Sequence, residues 1–210
     1  MKKIAVLLLF VVSLFTASCS LFSSSKSQEK HYYQIYYNPK DSEREPIAAT
    51  LRIKTFDADK IYKRYNLVYR TSFEEMFYYN THFWAARPAE MITDLVANHV
   101  TKQKVFSDII LSMDKKPDYV MSGRIIALDE IVSGEKSYAR MSVLFELKDY
   151  KTDTVVVAHT FERRQEIPGE NPKPVYVVRA MGEIIDSEID AFISKIYETL
   201  ESGRQEAESE

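Results

Sequence analysis

The body of the chain contains several segments in which apolar and polar residues alternate. Residues 50–56 alternate in this way, and so does the longer segment 138–148, whose odd-numbered positions from Ala139 to Leu147 are all apolar. A period of two is typical of a β-strand with one face on a core and the other in water. Further strands are predicted at residues 32–37, 66–71, 75–80, 119–128 and 154–161. A polar turn at residues 149–153 joins two of these strands, which favours a largely antiparallel sheet.

Two other segments repeat apolar residues every three or four positions, which predicts α-helices. The first begins at Pro88, a residue type that suits the first helical position, and continues to about Val100. The second covers residues 174–200, and its apolar stripe consists of Val178, Met181, Ile185, Ile189, Phe192, Ile196 and Leu200. A helical turn is also predicted within residues 57–65, with Asp57 or Asp59 as its cap. The fold class predicted is α/β (α+β), a single domain with a mixed, largely antiparallel sheet covered by two helices.

The N-terminus has the pattern of a secretory signal. Two lysines precede an apolar run at residues 4–15, which is too short to span a bilayer comfortably. The next four residues, Thr-Ala-Ser-Cys at 16–19, resemble the bacterial lipobox, in which the cysteine thiol is diacylated and cleavage makes the cysteine the new N-terminus, although Thr16 stands where leucine is usual. We predict a signal peptide at residues 1–18 and lipidation, by acyl groups such as palmitate, of Cys19. The alternative is that Cys19 lies by chance beside an ordinary cleavage site.

The residues on either side of the predicted domain are polar. Residues 19–30 are rich in serine and predict a lipidated flexible tether. Ser20, rather than aspartate, follows the cysteine, and in many Gram-negative bacteria this directs a lipoprotein to the outer membrane. Residues 31–200 contain no stretch that suits a domain linker and form the predicted domain. Residues 201–210 contain four glutamates and no large apolar residue, which predicts a disordered acidic tail.

Composition excludes several functions. The chain of 210 residues has 28 basic and 31 acidic residues and a net charge of −3, so it lacks the basic excess of a nucleic-acid-binding protein. A single cysteine excludes an internal disulfide and a cysteine zinc site. Five scattered glycines do not form a phosphate-binding loop. The lipid on Cys19 is therefore the only prosthetic group expected.

No catalytic or metal-binding motif is present in the sequence. The four histidines are isolated in sequence, and His99 is expected to be a buried or rim residue on the apolar face of its helix. The acidic residues Asp129, Glu130 and Glu162 could form an acid/base pair in space, but a solvated face is the interpretation that we favour. We therefore predict that the protein is not an enzyme, has no catalytic residue and binds no metal.

Nine aromatic residues lie within a short stretch of the chain: Tyr62, Tyr65, Tyr69, Phe73, Phe77, Tyr78, Tyr79, Phe83 and Trp84. One interpretation is that some of them are exposed for a partner or an apolar ligand. The other is a tyrosine-rich sheet face with its hydroxyls at the wet rim. Within this stretch Tyr69 and Trp84 are expected to be mainly structural. Arg70 is expected to meet a carboxylate, either within the fold or on a partner.

The order of motifs resembles that of the ABC-type transport auxiliary lipoproteins, of which the paraquat-inducible protein C type is representative. The resemblance covers the whole predicted domain. It rests on Cys19, the strands at 32–37, 67–70, 77–80 and 119–125, Trp84, and the helix that begins at Pro88 and carries Met91 and Leu95. Candidate partner or motif residues are Tyr69, Arg70, Phe77, Trp84 and Pro88.

The resemblance implies a role in intermembrane lipid transport. In such systems an ABC ATPase and permease of the inner membrane work with mammalian-cell-entry (MCE) domain proteins, and the lipoprotein is a periplasm-facing docking or binding component. Its implied partners are an MCE-domain protein directly, the permease and ATPase indirectly, and membrane lipid; whether it forms a homo-oligomer stays open. The implied location is the cell envelope, lipid-anchored at the outer membrane. The alternative is an outer-membrane assembly or cell-envelope structural lipoprotein without transport partners.

Overall fold

The structure, a computed structural model, describes residues 28–110 and 115–208. Within these residues the chain forms nine β-strands and two α-helices. The strands are β1 (His31–Tyr33), β2 (Ile47–Ile53), β3 (Asp57–Ala58), β4 (Asn66–Arg70), β5 (Met76–Trp84), β6 (Phe106–Ile109), β7 (Tyr119–Ser133), β8 (Lys136–Asp149) and β9 (Val155–Ile167). The helices are α1 (Pro88–Lys102) and α2 (Pro174–Glu208), and a 3₁₀ turn covers Lys60–Lys63. The predicted signal peptide, Cys19 and most of the tether lie outside the described residues.

The long strand β7 organises the sheet. Along one edge it pairs in parallel with three strands in succession, first β2, then β3, then β4. Along its other edge it pairs with β8 in antiparallel fashion over almost its whole length, and β8 pairs in the same way with β9. Strand β5 is antiparallel to β4, and β1 adds to β5 in parallel. The sheet is therefore mixed, and its longest ladders are antiparallel, as predicted.

The alternation in β8 sets the position of the core. Its odd-numbered residues from Ala139 to Leu147 are fully buried. On this side of the sheet the Phe145 ring stacks on Phe192 of α2, with ring centres 5.3 Å apart. The stripe of α2 that the period of 3.6 predicts is buried from Val178 through Ile196. Apolar burial of these side chains, at about 1.5–3 kcal/mol for each large one, is the main stabilising contribution to the domain.

Helix α1 begins at Pro88, as predicted. Proline suits this position because N–H groups in the first helical turn have no partner within the helix, so its missing N–H costs no hydrogen bond. Its buried residues include Met91, Ile92, Val96 and Val100, which recur at the helical spacing. None of the helices among residues 28–110 and 115–208 is sufficiently long and apolar to cross a membrane.

Several elements differ from their predicted bounds. Strand β1 ends at Tyr33, and residues 34–46 then continue without regular structure as a strap across the helices. Strand β6 was not predicted, because four residues are too few to show a period. Asp59 occupies the cap position of the 3₁₀ turn but makes no capping hydrogen bond; its carboxylate instead accepts one from Arg124 Nε at 2.8 Å.

The last helix is longer than predicted. Its backbone continues past Leu200 to Glu208, into the segment for which the sequence predicts a disordered tail. Glutamate, arginine, glutamine and alanine in this segment are all good helix formers, so an established helix can extend through them.

The strap crosses α2 at a glycine. A Cβ atom at Gly182 would lie 3.0 Å from the carbonyl oxygen of Tyr36, so the absence of a side chain there permits the close approach. Ile35 is fully buried beside this crossing, and the Tyr37 hydroxyl lies 3.2 Å from Nδ1 of His99 in α1. The strap thus connects the edge strand β1 to both helices.

Candidate functional site

Six rings form a row across strands β1, β5 and β4. We call it the aromatic row; its members are His31, Tyr33, Tyr69, Phe77, Tyr79 and His82. His82 stacks on His31 with ring centres 5.1 Å apart and lies 5.1 Å from Tyr79. Tyr79 in turn lies 4.8 Å from Tyr69, and Tyr69 stacks on Phe77 at 5.1 Å. These separations are those of favourable aromatic pairs, so each ring helps to fix the next.

A bulge in β5 brings Tyr79 and His82 to the same face. Regular alternation would place residues three apart on opposite faces. Between the pairs Val68 with Tyr78 and Asn66 with Phe83, however, β4 advances two residues while β5 advances five. The odd number of extra residues reverses the alternation of β5, and this makes the row continuous.

Buried polar groups hold the row in place. The Tyr79 hydroxyl donates a hydrogen bond to Glu130 Oε2 at 2.7 Å, and Glu130 is only 4% exposed. The Tyr33 hydroxyl lies 2.8 Å from His82 Nδ1. Burial, and then the bond to Glu130, raise the pKa of Tyr79 well above its ordinary value, so its hydroxyl keeps the proton that it donates.

The opposite face of the same strands carries a buried carboxylate between two arginines. Asp129 has no exposed surface. Its Oδ2 accepts hydrogen bonds from Arg70 Nε at 2.7 Å and from Tyr62 Oη at 2.5 Å, and its Oδ1 accepts one from Arg140 Nε at 2.8 Å. Burial alone would lower the pKa of Arg140, but the bond to Asp129 and the charge of that carboxylate outweigh it and raise the pKa. Both guanidinium groups therefore stay charged.

The favoured interpretation that Asp129 and Glu130 belong to a solvated face is wrong for these two residues. Each is buried and accepts a hydrogen bond from a tyrosine hydroxyl, Asp129 from Tyr62 of the 3₁₀ turn and Glu130 from Tyr79. Glu162 is exposed as expected, and its Oε1 lies 3.8 Å from Arg140 Nη1.

Two exposed phenylalanines lie near the turn between β4 and β5, one in the connection and one at the start of β5. Phe73 is 67% exposed and Phe77 is 37% exposed. Arg70 Nη1 donates a hydrogen bond to the carbonyl oxygen of Phe73 at 3.0 Å, and the Arg164 guanidinium lies 5.2 Å from the centre of the Phe73 ring. Arg70 therefore links the backbone of this connection at Phe73 to the buried carboxylate of Asp129.

The residues selected from the sequence separate into two groups. Tyr69 and Phe77 belong to the aromatic row, and Arg70 meets a carboxylate within the fold, Asp129. Trp84 is 2% exposed and lies in the core, and Pro88 is buried at the start of α1. His31, Tyr33 and His82 were not selected, and Asp129 was considered only as a possible acid/base residue. Only strand pairing brings them to the site, and no local sequence pattern marks them.

The aromatic stretch fits neither interpretation alone. Tyr62 and Trp84 are core residues, whereas Tyr65, Phe73 and Phe77 are exposed. The remaining four aromatic residues, Tyr69, Tyr78, Tyr79 and Phe83, are half-buried.

One group of side chains in the described segments has the composition of a metal site: His99, Asp186 and Asp190, with ligand atoms within 4.8 Å of one another. His99 is fully buried, as expected. Its Nε2 already lies 2.9 Å from Asp190 Oδ1, and its Nδ1 faces the Tyr37 hydroxyl. Burial raises the pKa of Asp186. These contacts join the strap to both helices, and we assign no metal to them.

Comparison with known proteins identifies a family and a shared fold. A family model described as the ABC-type transport auxiliary lipoprotein component matches residues 33–191. The crystal structure of a protein from Xanthomonas campestris is similar, with a TM-score of 0.66 and 16% identity over 84% of this chain and 99% of that one. An uncharacterised protein of known structure gives a TM-score of 0.59 and 14% identity over 80% of this chain and 99% of that one. No curated protein matches the chain significantly.

Proposed function

Because the chain belongs to the family of ABC-type transport auxiliary lipoproteins, we propose that it is the periplasm-facing docking component of an MCE-type ABC system for intermembrane lipid transport. Membership of the family makes it an accessory of an ABC transport system and a lipid-anchored protein of the cell envelope. Its family is not one of enzymes. The MCE-domain partner and the outer membrane as the site of anchoring are part of the proposal.

The observation that carries the proposal is the aromatic row with its exposed end at Phe77. Half-buried rings that are held by a buried carboxylate form a preorganised surface, and aromatic residues are enriched where proteins bind one another. One cleft is lined by several lysines and aspartates, whereas a second of similar volume is lined in part by Ile47, Tyr119, Val156 and Leu200. The proposal of a protein partner therefore rests on the aromatic row and not on the lack of an apolar cleft.

The docking surface is tested by truncating its exposed ring. Phe77→Ala should weaken binding of the MCE-domain protein by about 2 kcal/mol or more, which is roughly 30-fold in Kd, because a central aromatic contact is lost. The melting temperature should fall by only a few degrees, since Phe77 is 37% exposed and loses one stacking contact, with Tyr69. Binding is measured by pull-down and titration with the purified lipidated protein.

The matched control is Tyr36→Ala, which removes a ring that is 80% exposed on the strap. It should leave binding intact. Equal binding by Phe77→Ala, Tyr69→Ala and the wild-type protein would show that the aromatic row is not the docking surface. Failure of the wild-type protein to bind any MCE-domain protein would favour the envelope structural lipoprotein instead.

Anchoring is tested at Cys19. Replacing it by serine should abolish the incorporation of radiolabelled palmitate and leave the precursor uncleaved or soluble, because the thiol that accepts the lipid is gone. Ser20→Asp is the matched control: it should still be labelled, but it should fractionate with the inner membrane. A wild-type protein without label would contradict the proposed anchor.

A further inference from the structure

Two rings and a lysine lie together where the chain enters the domain. We call them the tether-side patch; its members are Lys30, Tyr32 and Phe83. The Tyr32 ring is 64% exposed and lies 5.7 Å from Phe83, and Lys30 Nζ lies 5.8 Å from the centre of the same ring.

The backbone brings these residues to one end of the sheet. Tyr32 pairs with Phe83 in the parallel register of β1 and β5. Lys30 directly precedes β1, and its ammonium reaches the Phe83 ring of this pair.

The two rings on β1 and β5 point away from the aromatic row. Tyr32 alternates with His31 and Tyr33 along β1, and Phe83 alternates with His82 along β5, so both belong to the opposite face. A contact made through Tyr32 and Phe83 therefore leaves the aromatic row free for a partner.

The patch lies directly after the predicted tether. Eleven residues, 20–30, follow Cys19 up to and including Lys30. Fully extended they reach about 36–40 Å, and as a flexible coil they would span roughly 17–20 Å. An anchor at Cys19 thus keeps the tether-side patch within reach of the bilayer.

From this placement we propose that the tether-side patch docks on the phospholipid surface that holds the anchor; the inference rests on the anchoring part of the proposed function. Tyrosine and phenylalanine rings prefer the boundary between headgroups and acyl chains, and lysine and arginine are attracted to anionic headgroups. The lipid and the patch then fix the orientation of the domain, with the aromatic row turned away from the membrane.

The test places a fluorescent reporter in the patch. Tyr32→Trp in the full-length lipidated protein, reconstituted in vesicles of phosphatidylethanolamine and phosphatidylglycerol, should show blue-shifted emission and should lose emission when the lipids carry brominated chains. Tyr36→Trp is the control, because residue 36 is more exposed but lies on the strap; its emission should stay unquenched. The resident Trp84 is buried in both proteins and supplies the same background. Adding Lys30→Glu to Tyr32→Trp should reduce the quenching.

The outcomes separate this inference from the docking function. Protein that floats with the vesicles but shows no quenching at position 32, or equal quenching at positions 32 and 36, overturns the membrane contact and leaves the anchor intact. Protein that does not float overturns both the anchor and the membrane contact. Loss of MCE-domain binding in Tyr32→Asp would assign the tether-side patch to a protein partner and also overturn the inference.

Discussion

Replacing Asp129 by alanine should destabilise the domain by about 3–5 kcal/mol, because the charges of two mostly buried arginines then have no counterion. The side chains of Arg70 and Arg140 are 13% and 12% exposed, and both donate to this carboxylate. Tyr62 loses its buried acceptor at the same time. For a domain of this size the loss corresponds to roughly 6–20 °C in melting temperature, which circular dichroism would measure.

Glu162→Ala is the matched control for this change. Glu162 also lies beside Arg140, but its side chain is 51% exposed and the two charges are 3.8 Å apart. Its removal should change the stability by about 0.5 kcal/mol or less, since water screens an exposed pair. Equal melting temperatures for the two variants would mean that water replaces Asp129 around the arginines, contrary to the burial described above.

Introducing a charge at Phe192 should unfold the protein or nearly so. The ring is 1% exposed and stacks on Phe145 at the centre of the interface between α2 and the sheet. Truncating such a ring costs about 3–5 kcal/mol, and Phe192→Asp adds an unpaired buried carboxylate. The nearby ammonium of Lys195 already donates to His159 Nδ1 at 2.9 Å. The combined loss in the free energy of unfolding approaches the whole stability of an ordinary domain.

Phe73→Asp makes the same change at a ring that is 67% exposed. Its urea midpoint should stay close to that of the wild-type protein, because the new charge remains in water. If Phe192→Asp had the same midpoint as Phe73→Asp, the stripe of α2 would not be a core face and would instead be available for interaction.

The elements that the sequence predicts best are those whose pattern is local and long. The alternation in β8 and the stripe of α2 each repeat several times, and both identify the buried side correctly. Pro88 marks the start of α1 through its own covalent geometry. Short elements contain too few residues for a period to appear. Strand β6, for example, is recognised only from its pairing with β2.

The candidate site depends on features that a single sequence does not reveal. The bulge in β5 reverses the alternation that would otherwise separate Tyr79 from His82. The sequence around Asp129 predicts a surface carboxylate. In the fold, the 3₁₀ turn brings Tyr62 to this carboxylate, and β4 and β8 bring Arg70 and Arg140. What the sequence does show is an excess of aromatic residues in this stretch and the need of Arg70 for a carboxylate.

The parallel pairings of β7 and β5 also bear on the order in which the chain folds. The hairpins β7–β8 and β8–β9 join neighbours in sequence, and Gly134, with a φ of 62°, permits the tight turn of the first. Pairing Leu51 with Tyr119, or His31 with His82, requires the closure of a long loop, which slows folding. We expect the three C-terminal strands to form a nucleus on which the N-terminal strands assemble afterwards. Strand β1 lies at the edge of the sheet and can pair only after β5 has formed. We therefore expect the segment next to the tether to fold last.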